Sequence, residues 1–177
     1  ELRPTSRNES MLVSITVPTW NREHRLPTLH AQFERQTWTG GDLELVVLDD
    51  SPEPSPYFAS IRSERVKYHH APVRSTVGAK RARLLELARG ECHIQFDDDD
   101  FYAPTYVERT LENLGDHDFF HYNAWHLYRE SDRTIWYWDT RKLLEIQYVL
   151  EGGGADPAQS LRNLVPHKDL GNEESRA

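Results

Sequence analysis

Residues 94–104 constrain the fold more than any other stretch. Ile94-Gln95-Phe96 alternates like a strand, then runs without a break into Asp97-Asp98-Asp99-Asp100 and on through Phe101-Tyr102-Ala103-Pro104. Four adjacent carboxylates repel one another, and they stay ionised together more easily with a cation among them. Behind an apolar run, such a cluster belongs at a turn on the edge of a packed sheet. Taken alone, it is equally compatible with a metal site and with a solvated acidic loop.

The remainder of the chain supplies the sheet. Residues 11–17 are a β-branched run stopped by Pro18, the pattern of a buried strand, and residues 18–22 form a loop. Leu26, Leu29 and Phe33 recur at helical spacing between residues 25 and 36, and Thr39-Gly40-Gly41-Asp42 breaks that helix. Residues 43–48 read as a second strand ending in Asp49-Asp50-Ser51, and the proline-studded residues 52–56 as an irregular loop. A third strand is expected over residues 66–70. Residues 77–88 read as a helix with Leu84, Leu85, Leu87 and Ala88 facing inward and Gly90 as its C′ glycine. Residues 91–96 form the fourth strand. Thr105-Tyr106-Val107-Glu108 has the capping-box form and predicts a helix to Leu114.

Strands alternating with helices predict an α/β fold with a mostly parallel sheet flanked by helices. The alternation fades after Leu114. Residues 118–125 and 134–138 read as two strands joined by a turn at 130–133; Gly152-Gly153-Gly154 is a break, and residues 157–164 suggest one more helix. The expected organisation is a loose arm over residues 1–10, a ligand-binding half over 11–114, and a small hairpin-bearing extension of the same domain over 115–177.

Charge and cysteine content narrow the function. The 177 residues carry 21 basic and 29 acidic side chains, a net charge of −8, which disfavours nucleic acid or an anionic membrane as partner. Cys92 is the only cysteine, so no intrachain disulfide can form; a buried, inert thiol in a reducing cytoplasm is expected. No apolar stretch approaches the ~20 residues of a membrane span, and no leader pattern opens the sequence. The expected location is cytoplasmic.

Ligands of open parallel sheets sit beyond the carboxyl ends of the strands. Asp49-Asp50, Asp97–Asp100 and the 18–22 loop all fall there. Carboxylates with few His or Cys neighbours are hard oxygen ligands suited to Mg²⁺ or Mn²⁺. Such an ion usually keeps a phosphate partner, which points to a nucleotide or diphosphate, and Arg74, Lys80, Arg81, Arg83 and Arg89 could meet that phosphate. Trp125, His126, Tyr128, Trp136 and Trp138 offer faces for a sugar or a core for the hairpin. His69-His70 reads as a strand end.

These residues also carry a resemblance. Val13-Ser14-Ile15-Thr16-Val17-Pro18-Thr19-Trp20-Asn21-Arg22, Gln36-Thr37-Trp38 and Val47-Leu48-Asp49-Asp50-Ser51 resemble the opening of family 2 glycosyltransferases. Gly78-Ala79-Lys80-Arg81, Glu86-Leu87-Ala88-Arg89-Gly90-Glu91 and residues 96–104 continue the match in order, over roughly residues 11–114. The resemblance implies a GT-A (Rossmann-like) fold, a nucleotide-diphosphate sugar donor with a UDP-sugar foremost, and inverting transfer to a glycan or other hydroxyl acceptor. It implies that Asp50 contacts the base beside the Pro18-Thr19 backbone and that Arg81 faces the nucleotide. Lys80 is expected to assist donor binding, and Asn21 and Arg22 either to do the same or only to form the turn. Asp97 and Asp98 fall where the family's D-x-D motif meets ribose and metal, and Asp99 at its principal metal ligand.

The catalytic base is expected on an acidic pair well after that motif. Gly171-Asn172-Glu173-Glu174-Ser175 resembles such a pair, with Glu174 at the position of the base and Glu in place of the usual Asp; a solvated acidic terminus is the competing reading. Two rival functions remain open at this point. One is a non-catalytic, nucleotide-sugar-binding relic of the same fold. The other is an aspartyl-phosphate phosphatase, whose D-x-D-x-[TV] motif lacks its final residue here.

Overall fold

The structure, a computed structural model, describes residues 11–129 and 131–143 and divides into two compact units after Asp118. In the first unit the strands β1 (Val13–Thr19), β2 (Leu43–Asp49), β3 (Val66–His70) and β4 (Cys92–Gln95) form a parallel sheet in the order β3-β2-β1-β4. Every residue of β1 and β2 is buried. Such strands must be covered on both faces, which suits near-continuous Val, Ile and Leu runs.

One face packs Val13, Ile15 and Val17 of β1 and Leu45 and Val47 of β2 against Leu26, Leu29 and Phe33 of helix α1 (Leu26–Glu34). Phe96 and Val107 close this core from the far side. The opposite face sets Val46 and Leu48 under Leu84, with Leu87 and Ala88 beside them. The chain builds β1, β2 and β3 outward in one direction, then returns to lay β4 on the other side of β1. That reversal opens a crevice beyond the carboxyl ends of β1 and β4, the usual ligand position in such sheets.

The proline-rich stretch is less irregular than its sequence suggests. Helix α2 (Pro56–Ser60) starts there, with Pro56 in its first turn and the Ser55 hydroxyl accepting the Phe58 amide at 3.2 Å. Both residues suit a helix start: the proline lacks an amide that would be left unpaired anyway, and the serine satisfies one that would be. Helix α3 (Val77–Leu87) departs from expectation at two points. It buries Lys80 and Leu84, while Leu85 is about half exposed. Gly90 is not a left-handed cap either, because the helix closes at Ala88 in extended geometry. It serves close approach: its amide donates to Ser14 Oγ at 2.8 Å, and an added Cβ would lie 2.6 Å from the Ser14 amide nitrogen.

Helix α4 (Tyr106–Leu114) also forms without its expected cap, since the Thr105 side chain makes no capping bond. Glu108 accepts the Thr37 hydroxyl at 3.4 Å instead. Cys92 packs half-buried against the core, and burial pushes its thiol up, as an inert thiol requires.

In the second unit, β5 (Ala124–Arg129) and β6 (Thr134–Asp139) form an antiparallel hairpin with Ala124 opposite Asp139 and Arg129 opposite Thr134. The first strand therefore lies later than the expected residues 118–125. The turn decides this: Asp132 accepts from Arg129 Nε at 2.9 Å and from the Thr134 hydroxyl at 2.7 Å. A register pinned at that end leaves pairing to reach back only as far as Ala124. Among the described residues, no helix is long and apolar enough to cross a membrane. The arm at residues 1–10, the Gly152-Gly153-Gly154 break and the helix expected at 157–164 lie outside the described residues.

Candidate active site at the carboxyl edge of the sheet

The two acids that end β2 do different work. Asp49 is consumed by the loop that follows it: Oδ1 accepts from the Ser51 amide at 2.9 Å and the Ser51 hydroxyl at 2.5 Å, and Oδ2 from the Tyr68 hydroxyl at 2.7 Å. Ser51 Oγ in turn accepts the Asn21 amide at 2.7 Å. This ties the loop after β1 to the loop after β2. Asn21 sits there at φ 52°, a left-handed conformation that asparagine tolerates better than most residues.

Asp50 faces the other way. It is 2% exposed, and Lys80 is 5% exposed. Lys80 Nζ donates to Asp50 Oδ1 at 2.7 Å and to the Thr19 carbonyl at 2.8 Å, and the Ser75 amide donates to Asp50 Oδ2 at 2.8 Å. Burial pushes the Asp50 carboxyl up, but Lys80 and the Ser75 amide more than offset it and hold it below the usual carboxylate range.

The four aspartates after β4 have separate partners. Asp97 pairs with Arg81 Nη2 at 3.0 Å. Asp98 Oδ2 accepts the Thr19 hydroxyl at 2.5 Å. Arg22 Nη1 donates to Asp99 Oδ2 at 2.7 Å and lies 3.8 Å from Asp98 Oδ1. Burial first, and then the charges of Asp99 and Asp97, push the Asp98 carboxyl up, against the pull of Thr19 and Arg22. Burial and the neighbouring aspartates push Asp100 up as well.

The turn itself is held from helix α1. Gln32, itself buried, donates to the Asp100 carbonyl at 3.1 Å and accepts the Tyr102 amide at 2.5 Å. Gln36, one helical turn on, donates to the Ala103 carbonyl and accepts the Val107 amide, both at 3.1 Å. Below the turn the Tyr102 ring stacks on Phe96 at 3.6 Å, and its hydroxyl accepts the Asp97 amide at 2.7 Å.

These groups border a cleft of about 440 Å³. Of the residues expected to bind a nucleotide sugar or a metal, Pro18, Thr19, Asn21, Arg22, Lys80, Asp97, Asp98 and Asp99 line it. Asp50 lies beneath, acting on the cleft through Lys80 and Ser75, and Arg81 reaches it through Asp97. Glu173 and Glu174 lie outside the described residues.

Arg74, expected among the phosphate-facing cations, has a seat that sequence reasoning missed. The Arg74 guanidinium stacks over Trp20 at 3.5 Å, and both line the cleft beside Ser75. Gln32 and Gln36 were missed as well. Their spacing of four places both on one helix face, but nothing in a sequence says which loop that face will meet.

Hard oxygen donors and a nearby positive group show what the aspartates can hold. Asp98 and Asp99 already share a cation, the Arg22 guanidinium. One or two carboxylates completed by phosphate and water oxygens are the ordinary surroundings of Mg²⁺, so the donor set fits such an ion. Among the described residues, no three His, Cys, Asp or Glu side chains converge as a ready-made metal cage.

Comparison with known proteins agrees with the fold. The model of the family described as glycosyl transferase family 2 matches residues 14–169. WcaA of Escherichia coli (strain K12), a glycosyl transferase provisionally named for colanic acid biosynthesis, is 29% identical over 119 residues, covering 63% of this chain and 42% of WcaA. This chain thus spans about two fifths of that curated relative. Among solved structures, the mannosyltransferase PcManGT of Pyrobaculum calidifontis, in complex with GDP-Man and Mn²⁺, superposes with a TM-score of 0.56 at 20% identity, covering 71% of this chain and 38% of that one. S. aureus TarS 1–349 in complex with UDP superposes with a TM-score of 0.53 at 24% identity, covering 64% and 34%. At these identities the likeness establishes a shared GT-A fold.

Proposed function

Because the chain belongs to glycosyl transferase family 2, we propose that it moves a sugar from a nucleotide-diphosphate donor to an acceptor hydroxyl, with inversion at the anomeric carbon. The observation that carries this reading is the cleft. It gathers Thr19, Arg22, Lys80 and Asp97–Asp99 from three separate segments onto one sheet edge, which is the combination of anchored cations and hard oxygen donors that a nucleoside diphosphate needs.

Each group has a role in that scheme. Lys80, fixed by Asp50 and the Thr19 carbonyl, lines the cleft as an anchored donor. Trp20 offers an aromatic face for the base, and the Ser75 and Thr19 backbones border it. Asp98 and Asp99 would hold Mn²⁺ or Mg²⁺, which when bound supplies Lewis-acid neutralisation of charge on a departing diphosphate. The GDP-Man and Mn²⁺ complex of PcManGT and the UDP complex of TarS support a nucleotide donor and a divalent ion. A UDP-sugar is our first choice of donor.

The transfer is a single displacement. The acceptor oxygen bonds to the anomeric carbon as the bond from that carbon to the diphosphate breaks, and the hydroxyl proton passes to a base. We assign the base to Glu174, with Glu173 beside it, and acceptor recognition to residues 115–177.

A thermal-shift screen of UDP-, GDP- and dTDP-sugars with and without Mn²⁺ tests the reading, since a ligand stabilises the state it binds. Stabilisation by one donor only with Mn²⁺, abolished in Asp99→Asn, is the expected result; no shift with any donor overturns it. Glu174→Gln should then abolish transfer and keep the donor shift. Donor binding with neither transfer nor hydrolysis in the parent protein would instead mark a nucleotide-sugar-binding protein.

A further inference from the structure

We propose that Arg22 is a displaceable occupant of the Asp98–Asp99 carboxylates, so that a divalent cation and a nucleoside diphosphate each bind better once the other is present. The inference rests on the assignment of Asp98 and Asp99 as metal ligands made above.

Three observations lead to it. Arg22 Nη1 lies 2.7 Å from Asp99 Oδ2 and 3.8 Å from Asp98 Oδ1, on the oxygens a metal would use. Three other cations that border the cleft or its turn are engaged elsewhere, Arg81 with Asp97, Lys80 with Asp50 and Arg74 over the Trp20 ring. The backbone behind Arg22 is fixed, with the Asn21 amide on Ser51 Oγ and Asn21 at φ 52°. Movement is therefore left to the Arg22 side chain, and its ion pair is 39% and 45% exposed at the two partners. A half-exposed pair of this kind is weak and opens readily.

A guanidinium and a divalent ion repel each other on one carboxylate edge, so metal binding requires Arg22 to leave. Once displaced, it loses its partner on the turn, where Asp97 is held by Arg81 and Asp98 Oδ2 accepts from Thr19. A diphosphate entering the same cleft offers the paired oxygens that a guanidinium grips in a fork. By moving Arg22 to itself, the diphosphate removes the competitor of the metal. The coupling is reciprocal, because each ligand changes the affinity of the other by the same factor.

The test is a set of Mn²⁺ titrations of the full chain, following free Mn²⁺ by electron paramagnetic resonance, with and without UDP or GDP. Arg22→Gln should bind Mn²⁺ alone roughly two- to fivefold tighter than the parent, the scale of a half-exposed pair. The factor by which the nucleotide tightens Mn²⁺ should fall by about the same amount. Arg22→Met serves as a second variant of similar reach, with folding checked by circular dichroism melts. Unchanged or weaker Mn²⁺ binding in the folded variants overturns the proposal, as does failure of both variants to fold, which would make Arg22 a structural clasp. Absence of Mn²⁺ binding in every protein overturns it too. If neither UDP nor GDP binds, the donor reading fails, while the titrations with Mn²⁺ alone still decide whether Arg22 competes.

Discussion

Strand β2 has a buried carboxylate near each end, Glu44 inside it and Asp50 just beyond it, and the two could hardly be more alike in chemistry. Glu44 is 1% exposed and Asp50 2%. Burial pushes both up, and hydrogen bonds with a nearby cation hold both below the usual carboxylate range. At the amino edge, Glu44 accepts from the Ser14 hydroxyl at 2.7 Å and from the Arg89 amide and Nε at 2.7 and 2.9 Å. At the carboxyl edge, Asp50 accepts from Lys80 and from the Ser75 amide. The difference lies in the cation. The Arg89 side chain is 60% exposed and leans in from water, whereas Lys80 is buried under the cleft. Buried charge pairs are therefore no guide to function by themselves; the end of the strand on which a pair sits decides what it can reach.

That contrast can be broken in three places. The largest effect belongs to Lys80→Met, which leaves Asp50 a buried carboxylate without its cation and should cost about 3–5 kcal/mol of stability, read from denaturant melts. A loss as small as that of a surface pair would mean that Asp50 is reached by water. Gly90→Ala comes next. Its new methyl would press on the Ser14 backbone at the amino edge, an overpacking worth about 1–3 kcal/mol, with donor-induced thermal shifts retained because the cleft lies at the opposite end.

Glu44→Gln should have the smallest effect, about 1–2 kcal/mol at neutral pH, because the exposed Arg89 can turn to water. It also carries a pH signature. A carboxyl held below its unfolded range gives stability that is present above the unfolded value, about 4.3 for glutamate, and lost as pH falls through the lower, folded value. The parent protein should therefore lose stability more steeply than Glu44→Gln on acid titration below that range; parallel curves would show that Glu44 is not held down.

Much of the parallel sheet and its acidic edge was legible before the structure. The β-branched runs at residues 11–17 and 43–48 announce strands buried on both faces, because only a core accepts so many adjacent apolar residues. Acids placed after such runs fall on one edge by topology alone. The failures have equally specific causes. The capping-box spelling at Thr105 lost to a turn held from Gln32 and Gln36. Gly90 was chosen for contact rather than for a left-handed cap. The hairpin register followed Asp132 in its turn, not the apolar run before it.

The sequence by itself determined the order of strands and helices, the edge on which the acids collect and the family to which the chain belongs, because periodicity and spacing are local properties that survive without coordinates. Tertiary structure alone decided which acid does what. It buried Asp50 on Lys80, spent Asp49 on Ser51 and Tyr68, and set Arg22 on Asp99. Apart from the local Asp49–Ser51 contact, each of those pairs joins residues far apart in the chain, and only the folded distances distinguish one carboxylate from the next.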